Sequence, residues 1–348
     1  EKLGDAWVKK ENYVGNGAYK LANHIINEKI EFERNPLYWN DKETVINSAT
    51  FLAIENPSTD VARYRAGDLD MTNYALPPEQ FAKLQKELPG EVFTTRTLAT
   101  YSYELNNKKA PFDNVNIRKA LNLSLDRKVI TDKVLGQGQT PTYVFTPTYI
   151  EEGQLIQQPA YSKEPMAQRN EEAIKLLEEA GYSKANPLKF SILYNTNENH
   201  KKVAIAAASM WKANTKGLID VKLENQEWKT YIDSRRAGRY DAARAGWNAD
   251  YNQATTFGNY FLSNSSNNTA KYANPEYDKA IAESYVATDA EGRAKAYAKA
   301  EEILAKDFGI VPIFNYVNPR LVKPYVKGYS GKDPQDHIYL RNLYIIKH

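Results

Sequence analysis

The side chains best placed to do chemistry lie in one short stretch. Asp241 to Asp250 reads Asp-Ala-Ala-Arg-Ala-Gly-Trp-Asn-Ala-Asp, and Tyr251 follows. Arg244, Ala245 and Gly246 have the small-residue surroundings of the end of a buried strand. Trp247 and Asp250 then stand where such a strand opens onto a cleft. A carboxylate in that place can neutralise an ammonium group of a ligand or serve as a general acid. Arg244 sits among Ala242, Ala243, Ala245 and Gly246, and a charge in such company needs a partner, either an internal acid or a ligand carboxylate.

Other constellations support little catalysis. The four histidines, His24, His200, His337 and His348, have neither the i, i+4 spacing nor the cysteine neighbours of a metal site, so no metal is expected. No Gly-x-Ser-x-Gly elbow occurs, Gly136-Gln137-Gly138 lacks the third glycine of a dinucleotide fingerprint, and there is no Walker lysine motif, so no cofactor is expected. A glycosidase carboxylate pair needs no fixed spacing, and Glu104, Glu227 and Asp250 all lie near expected strand ends in aromatic company. Glu227 is equally well explained as an acid at the positive end of a helix. Arg236 and Arg239 read as surface charges. Trp228 and Trp247 are core or cleft residues, with Trp247 the better cleft residue for its polar neighbours. His200 either caps the helix it begins or faces the same opening.

These residues are carried by two styles of chain. Residues up to about 99 read as mainly β: an extended Ala18 to Leu21, alternating Ile30 to Arg34, and Thr50 to Ile54, then helices at Ser58 to Ala66, opened by a serine cap, and Pro78 to Leu88. From Tyr101 to Leu105 onward, strands alternate with helices. Helices are expected at Val115 to Val134, Asn170 to Ala180, His200 to Ala213 and Glu227 to Arg236. Strands are expected at Leu188 to Asn195, Val221 to Glu224 and Tyr240 to Gly246. This is the pattern of an α/β domain. Ser263 to Thr269 reads as a polar loop, Pro275 to Ala287 and Ala290 to Lys306 as helices, and Ile310 to Phe314 as a short strand. The tyrosine-bearing tail returns to the β-rich style of the opening, so the chain ends are expected to form one domain around an inserted α/β domain.

Composition narrows the function classes. With 46 lysines and arginines against 43 acids and no long basic block, nucleic-acid binding has no support. The absence of cysteine excludes a disulfide framework and a thiolate nucleophile. The longest apolar run, Val203 to Trp211, is far short of the roughly 20 residues that span a bilayer. No signal-peptide pattern opens the sequence, so any secretion signal is expected to have been removed or to lie outside it. The 25 tyrosines suit either a partly wet site for varied ligands or ordinary sheet surfaces.

Four segments in order, Asn16-Gly-Ala-Tyr-Lys-Leu21, Glu33-Arg-Asn-Pro-Leu-Tyr-Trp39, Asn225-Gln-Glu-Trp-Lys-Thr230 and Arg244-Ala-Gly-Trp-Asn-Ala-Asp-Tyr-Asn252, together resemble the peptide-binding proteins of ABC importers. The similarity runs from Glu1 to His348. It implies a type II periplasmic-binding-protein-like fold, α/β, of two lobes joined by a hinge. The first lobe would be residues 1–99 with 315–348, and residues 100–314 the peptide-anchoring domain, with crossings near Ala99 and Asn315. It further implies a non-enzymatic periplasmic carrier that captures oligopeptides in an interlobe cleft and delivers them to the membrane permease of an ABC importer. Murein-peptide or dipeptide carriage is the alternative within the family, and a carbohydrate-binding protein or glycosidase with an aromatic cleft the alternative outside it.

By the same resemblance, Asp250 matches the acid that pairs with a peptide's α-ammonium, and Gly246 and Asn248 match backbone that adds the peptide as a strand. Trp228, Trp247, Asn195 and Tyr316 match pocket walls, and Arg235, Arg244 and His200 match positions that meet the C-terminal carboxylate at different peptide lengths. Close family members carry cysteines at positions matching Ala99 and Asn248, which the resemblance implies are bridged. A lysine and a pocket tyrosine of the family are replaced by Leu135 and Ser102. The family's N-terminal third has no counterpart here, and a separate N-terminal fragment of the same protein is a further expected partner.

Overall fold

The structure, a computed structural model, describes residues 2–73 and 75–348. In chain order it runs β1 (Tyr19–Ile25), β2 (Lys29–Arg34), β3 (Ser48–Leu52), α1 (Pro57–Ala66), α2 (Pro78–Glu87), β4 (Val92–Leu105), α3 (Val115–Leu123), α4 (Arg127–Val129) and β5 (Thr140–Pro141). Then come α5 (Met166–Glu179), β6 (Leu188–Asn195), α6 (Glu198–Asn214), β7 (Ile219–Gln226), α7 (Trp228–Arg236), β8 (Ala242–Asn248) and α8 (Thr255–Gly258). The chain closes with α9 (Pro275–Val286), α10 (Ala290–Lys306), β9 (Ile310–Leu321), β10 (Val326–Lys327) and β11 (Tyr344–Ile345). It divides into two compact units, Glu1–Thr95 with Asn318–His348 and Arg96–Val317.

The second unit is built on a mixed sheet of order β5-β9-β4-β8-β6-β7. β6 runs parallel to β7 and to β8, whereas β4 and β8 are antiparallel. Because side chains alternate across a strand, register sorts the residues onto two faces. On one face Tyr101, Tyr103, Ile192 and Ala242 pack with Val203, Ala204, Ala207 and Trp211 of α6. The Trp211 indole, fully buried, donates to the Leu121 carbonyl at 2.9 Å, so its polar atom is satisfied. A second cluster joins Phe145, Phe257, Tyr260 and Phe261 to Tyr277, Ile281, Tyr297 and Leu304 of α9 and α10. The first unit has a small core of Val61, Tyr64, Leu76, Phe81, Leu84 and Leu321, separate from its three-stranded antiparallel sheet β1-β2-β3.

Local structure departs from the sequence reading in several places. The cap of α1 is Asn56, which accepts from the Ser58 and Thr59 amides, and not Ser58, because Pro57 takes the first helical position. The long helix expected over 115–134 breaks after Leu123. Asp126 accepts from the Lys128 and Val129 amides and opens a new turn that continues as wider π-type turns over Ile130–Leu135. Fully buried Arg127 fixes the break by donating to the carbonyls of Asn122, Thr142 and Pro312. The helix expected from Asn170 begins at Met166, and Ala180, placed on its apolar face, is exposed. β4 and β9 are much longer than the short apolar runs read at Tyr101 to Leu105 and Ile310 to Phe314. Their added residues include buried polar ones such as Thr95, Thr97 and Arg320, which conceal strand character. Ala99 and Asn315 stand inside these strands, where the Asn315 side chain donates to Thr100 at 2.9 Å.

Candidate functional site

β8 offers an open strand edge. It pairs with β4 from Ala99↔Asn248 to Leu105↔Ala242, but with β6 only at Ile192↔Ala242 and Leu193↔Ala243. Beyond Ala243 no strand lies against β8 on the side away from β4 among the described residues. The Ala249 amide donates to the Leu98 carbonyl, and the Asn106 amide to the Asp241 carbonyl. Odd-numbered residues of β8 therefore turn their backbone groups to β4, and Arg244, Gly246 and Asn248 turn theirs to the open side. The Tyr231 hydroxyl donates to the Arg244 carbonyl, which leaves Gly246 and Asn248 as the bare part of the edge.

A carboxylate stands just past that edge. Asp250 is exposed, its amide donates to Thr256 Oγ1 at 3.2 Å, and the same hydroxyl donates back to Oδ2 at 3.2 Å. No cation pairs with it among the described residues. The Trp247 indole donates to the Thr256 carbonyl at 3.0 Å and meets Tyr260 edge-on at 4.8 Å. Thr256 thus ties together the tryptophan and the acid. β8 continues through Trp247 and Asn248 before this turn, two residues past the expected strand end at Gly246.

The opposite charge lies along the strand. Arg244 is half-buried, with its guanidinium hydrogen-bonded to the Tyr316 hydroxyl and 5.1 Å from the Tyr101 ring centre. Its Nε is buried without a hydrogen-bond partner, and no acid pairs with it among the described residues. A Cβ on Gly246 would come within 2.9 Å of both Arg244 Nη2 and Tyr316 Oη, so the glycine leaves room for this pair. His200 belongs to the third residue of α6, which is capped by Asn197, so the capping alternative for His200 falls away. Its ring lies 5.6 Å from that of Tyr101. Burial, with the Arg244 charge adding to it, holds the His200 imidazole well below its usual range.

Arg235 occupies the other face of the sheet, where its charge is already matched. It donates to Glu104 Oε2 at 2.9 Å, to the Tyr260 hydroxyl at 3.2 Å and to Thr269 Oγ1 at 3.0 Å. Burial works against this charge, but the Glu104 carboxylate outweighs it, and the guanidinium stays protonated far above its usual range. Glu104, weighed from sequence as a reacting carboxylate, is saturated: Tyr260 and Thr269 hydroxyls also donate to it. Glu227 caps α7, accepting from the Lys229 amide at 2.9 Å, so its helix-end reading holds. Trp228 begins α7 with its ring exposed and stacked on Tyr231 at 5.8 Å. Asn195 ends β6, paired with Gln226, and its buried Oδ1 has no hydrogen-bond partner.

The structure therefore brings Arg244, Gly246, His200 and Tyr316 together on one face, joins Trp247 and Asp250 at the end of β8, and sets Arg235 behind the sheet. Sequence reasoning missed Tyr231, Thr256 and Tyr101. Nothing in their spacing marks them, because each reaches the site by tertiary packing. Among the described residues no group of three or more His, Cys, Asp or Glu side chains is placed to hold a metal ion, and no helix is long and apolar enough to cross a membrane.

Residues 1–269 match the family model for bacterial extracellular solute-binding proteins, family 5 Middle, and the chain belongs to this family. It is 97% identical over its whole length to the periplasmic oligopeptide-binding protein OppA of Haemophilus influenzae, and spans 64% of the length of that relative. The periplasmic murein peptide-binding protein MppA of Escherichia coli is 43% identical over 99% of the chain, again across 64% of the relative. The crystal structure of Haemophilus influenzae OppA in complex with RPPGFSPFR matches with a TM-score of 0.96 at 96% identity, covering 99% of this chain and 67% of that one.

Proposed function

We propose that this chain carries the peptide-anchoring unit of a periplasmic oligopeptide-binding protein that captures peptides along β8 and delivers them to an ABC permease, without catalysing a reaction on them. The observation that carries this reading is the open edge of β8 at Gly246 and Asn248, followed by the exposed, cation-free Asp250. An extended peptide can add to that edge through main-chain hydrogen bonds that every sequence offers, with its ammonium group on Asp250. Arg244 and His200 have no acid partner in the unit and are positioned to receive the C-terminal carboxylate. Arg235 reaches a ligand only by sharing its Glu104 partner. Trp228, Trp247, Asn195 and Tyr316 then serve as walls for side chains, in pockets where water fits whatever is bound. Residues 1–95 with 318–348 belong, in this reading, to the other lobe.

Calorimetric titration with tripeptides, their N-acetylated forms, a murein tripeptide and an oligosaccharide tests this. Free tripeptides should bind, and both acetylation and Asp250→Asn should weaken them by at least about tenfold, the cost of one lost charge pair. Binding of the oligosaccharide alone, or equal affinity of acetylated and free peptides, would refute it. Preference for the murein tripeptide over ordinary ones would narrow the ligand class.

A further inference from the structure

A strained acid lies behind the turn that carries Asp250. Ile150 to Gly153 form a turn closed by the Gly153 amide on the Ile150 carbonyl at 2.9 Å, and its third residue is Glu152, with φ of 64°. That left-handed place usually falls to glycine or asparagine, so a longer residue held there points to a task for its side chain. Glu152 is buried, and both oxygens of its carboxylate are engaged. Oε1 meets Arg293 of α10, with Nε at 2.7 Å and Nη2 at 2.6 Å, and Oε2 accepts from Gln253 Nε2 at 2.7 Å. The backbone beside it grips the same segment. The Ala254 amide donates to the Glu151 carbonyl at 3.0 Å, and the Glu151 amide donates to Asn252 Oδ1 at 3.3 Å.

Asn252, Gln253 and Ala254 are the middle of the connection from Asp250 to Thr256, and all of these groups belong to the second unit. The connection closes on itself at Thr256, whose amide donates to the Gln253 carbonyl at 3.3 Å and whose hydroxyl holds Asp250. Asp250, Tyr251 and Asn252 are exposed, so burial contributes little to fixing their path. An exposed acid on such a turn is aimed only as well as the groups behind it are held. We propose that Glu152 is a positioning residue for the amine-binding acid: through Gln253 and Thr256 it holds the turn in the shape that aims the Asp250 carboxylate along the open edge of β8. The inference rests on the reading of Asp250 given above. Arg293 is the other half of the anchor, since it matches the Glu152 charge from α10 through Oε1 and leaves Oε2 for Gln253.

The test titrates a tripeptide and its N-acetylated form into the parent, Glu152→Ala, Asp250→Asn and the double variant, and follows hydrogen exchange of the ligand-free proteins. In Glu152→Ala the preference for the free amine should fall from about tenfold to about threefold or less, while the acetylated peptide binds as before. In the Asp250→Asn background the same substitution should change neither affinity. Without ligand, the Ala254 amide of Glu152→Ala should exchange about tenfold faster, whereas β6 and α6 keep the parent's protection, which also shows that the variant folds. Gln253→Ala cuts the link from its other end and should repeat the loss of preference, and Glu152→Gln, which keeps an acceptor for Gln253, should retain most of it. Equal weakening of both peptides by Glu152→Ala would make the residue a structural one and overturn the proposal. So would an unchanged preference alongside faster exchange. Persistence of the preference in Asp250→Asn would refute the reading of Asp250 itself, and that variant alone tells the two failures apart.

Discussion

Arg235 and Arg244 are only nine residues apart, yet the fold treats their charges differently. Arg235 donates to a carboxylate that is 1% exposed, whereas Arg244 has tyrosines around it and no acid. Removing one member of a buried pair strands the other, so Arg235→Met should cost about 3–5 kcal/mol of stability. Arg244→Met should cost far less and act on ligand affinity. Thermal unfolding of the two variants compares them, and an undisturbed Arg235→Met would show that the Glu104 pair contributes nothing. His200 gives a pH signature. Its folded pKa lies below the unfolded value near 6.5, so the unfolded chain binds the extra proton and stability falls as pH drops through 6.5. One proton sets an upper limit of about 1.4 kcal/mol per pH unit on the slope. His200→Gln should flatten that part of the stability profile in denaturant titrations; an unchanged slope would assign it to other groups.

At the scale of the element, β8 is defined by its two unlike edges. One is fully paired with β4, and the other leaves β6 after Ala243. The register also places Ala99 opposite Asn248, between the hydrogen-bonded pairs on either side, so these two form a non-hydrogen-bonded pair with Cα atoms about 4.5 Å apart. That spacing admits a disulfide. Oxidised Ala99→Cys/Asn248→Cys should be more stable than the parent by about 3–5 kcal/mol for a closed loop of this length, and melt higher accordingly, with reduction removing the gain. Failure of the thiols to close under mild oxidation would contradict the register. The strand itself was legible in sequence from its small residues around one arginine. Its open edge was not, because an edge depends on where a distant strand stops pairing.

At the scale of the molecule, the two units are unequal. The second holds two large clusters on its sheet, whereas the core of the first comprises six buried side chains. Stability follows buried apolar area, so the first unit should open at lower denaturant. Leu84→Ala, at a fully buried position, should cost about 2–5 kcal/mol. It should speed hydrogen exchange in α1 and α2 while sparing β6 and α6. Uniform acceleration across the chain would mean that the units unfold as one.

The sequence by itself determined the alternation of strands and helices, the α/β class, the helix ends at Glu227 and Lys306, and the stretch proposed to carry the site. These are set by local forces: apolar periodicity, caps and turn residues act within a few positions. Tertiary structure alone decided that β4 and β9 run on through buried polar residues, that Arg127 breaks a long helix, and that Glu104 rather than a ligand holds Arg235. It also decided that Thr256 couples Trp247 to Asp250. Each of these depends on which groups meet across more than a hundred residues or around a turn. A buried charge declares in sequence that it needs a partner, and only packing chooses which one.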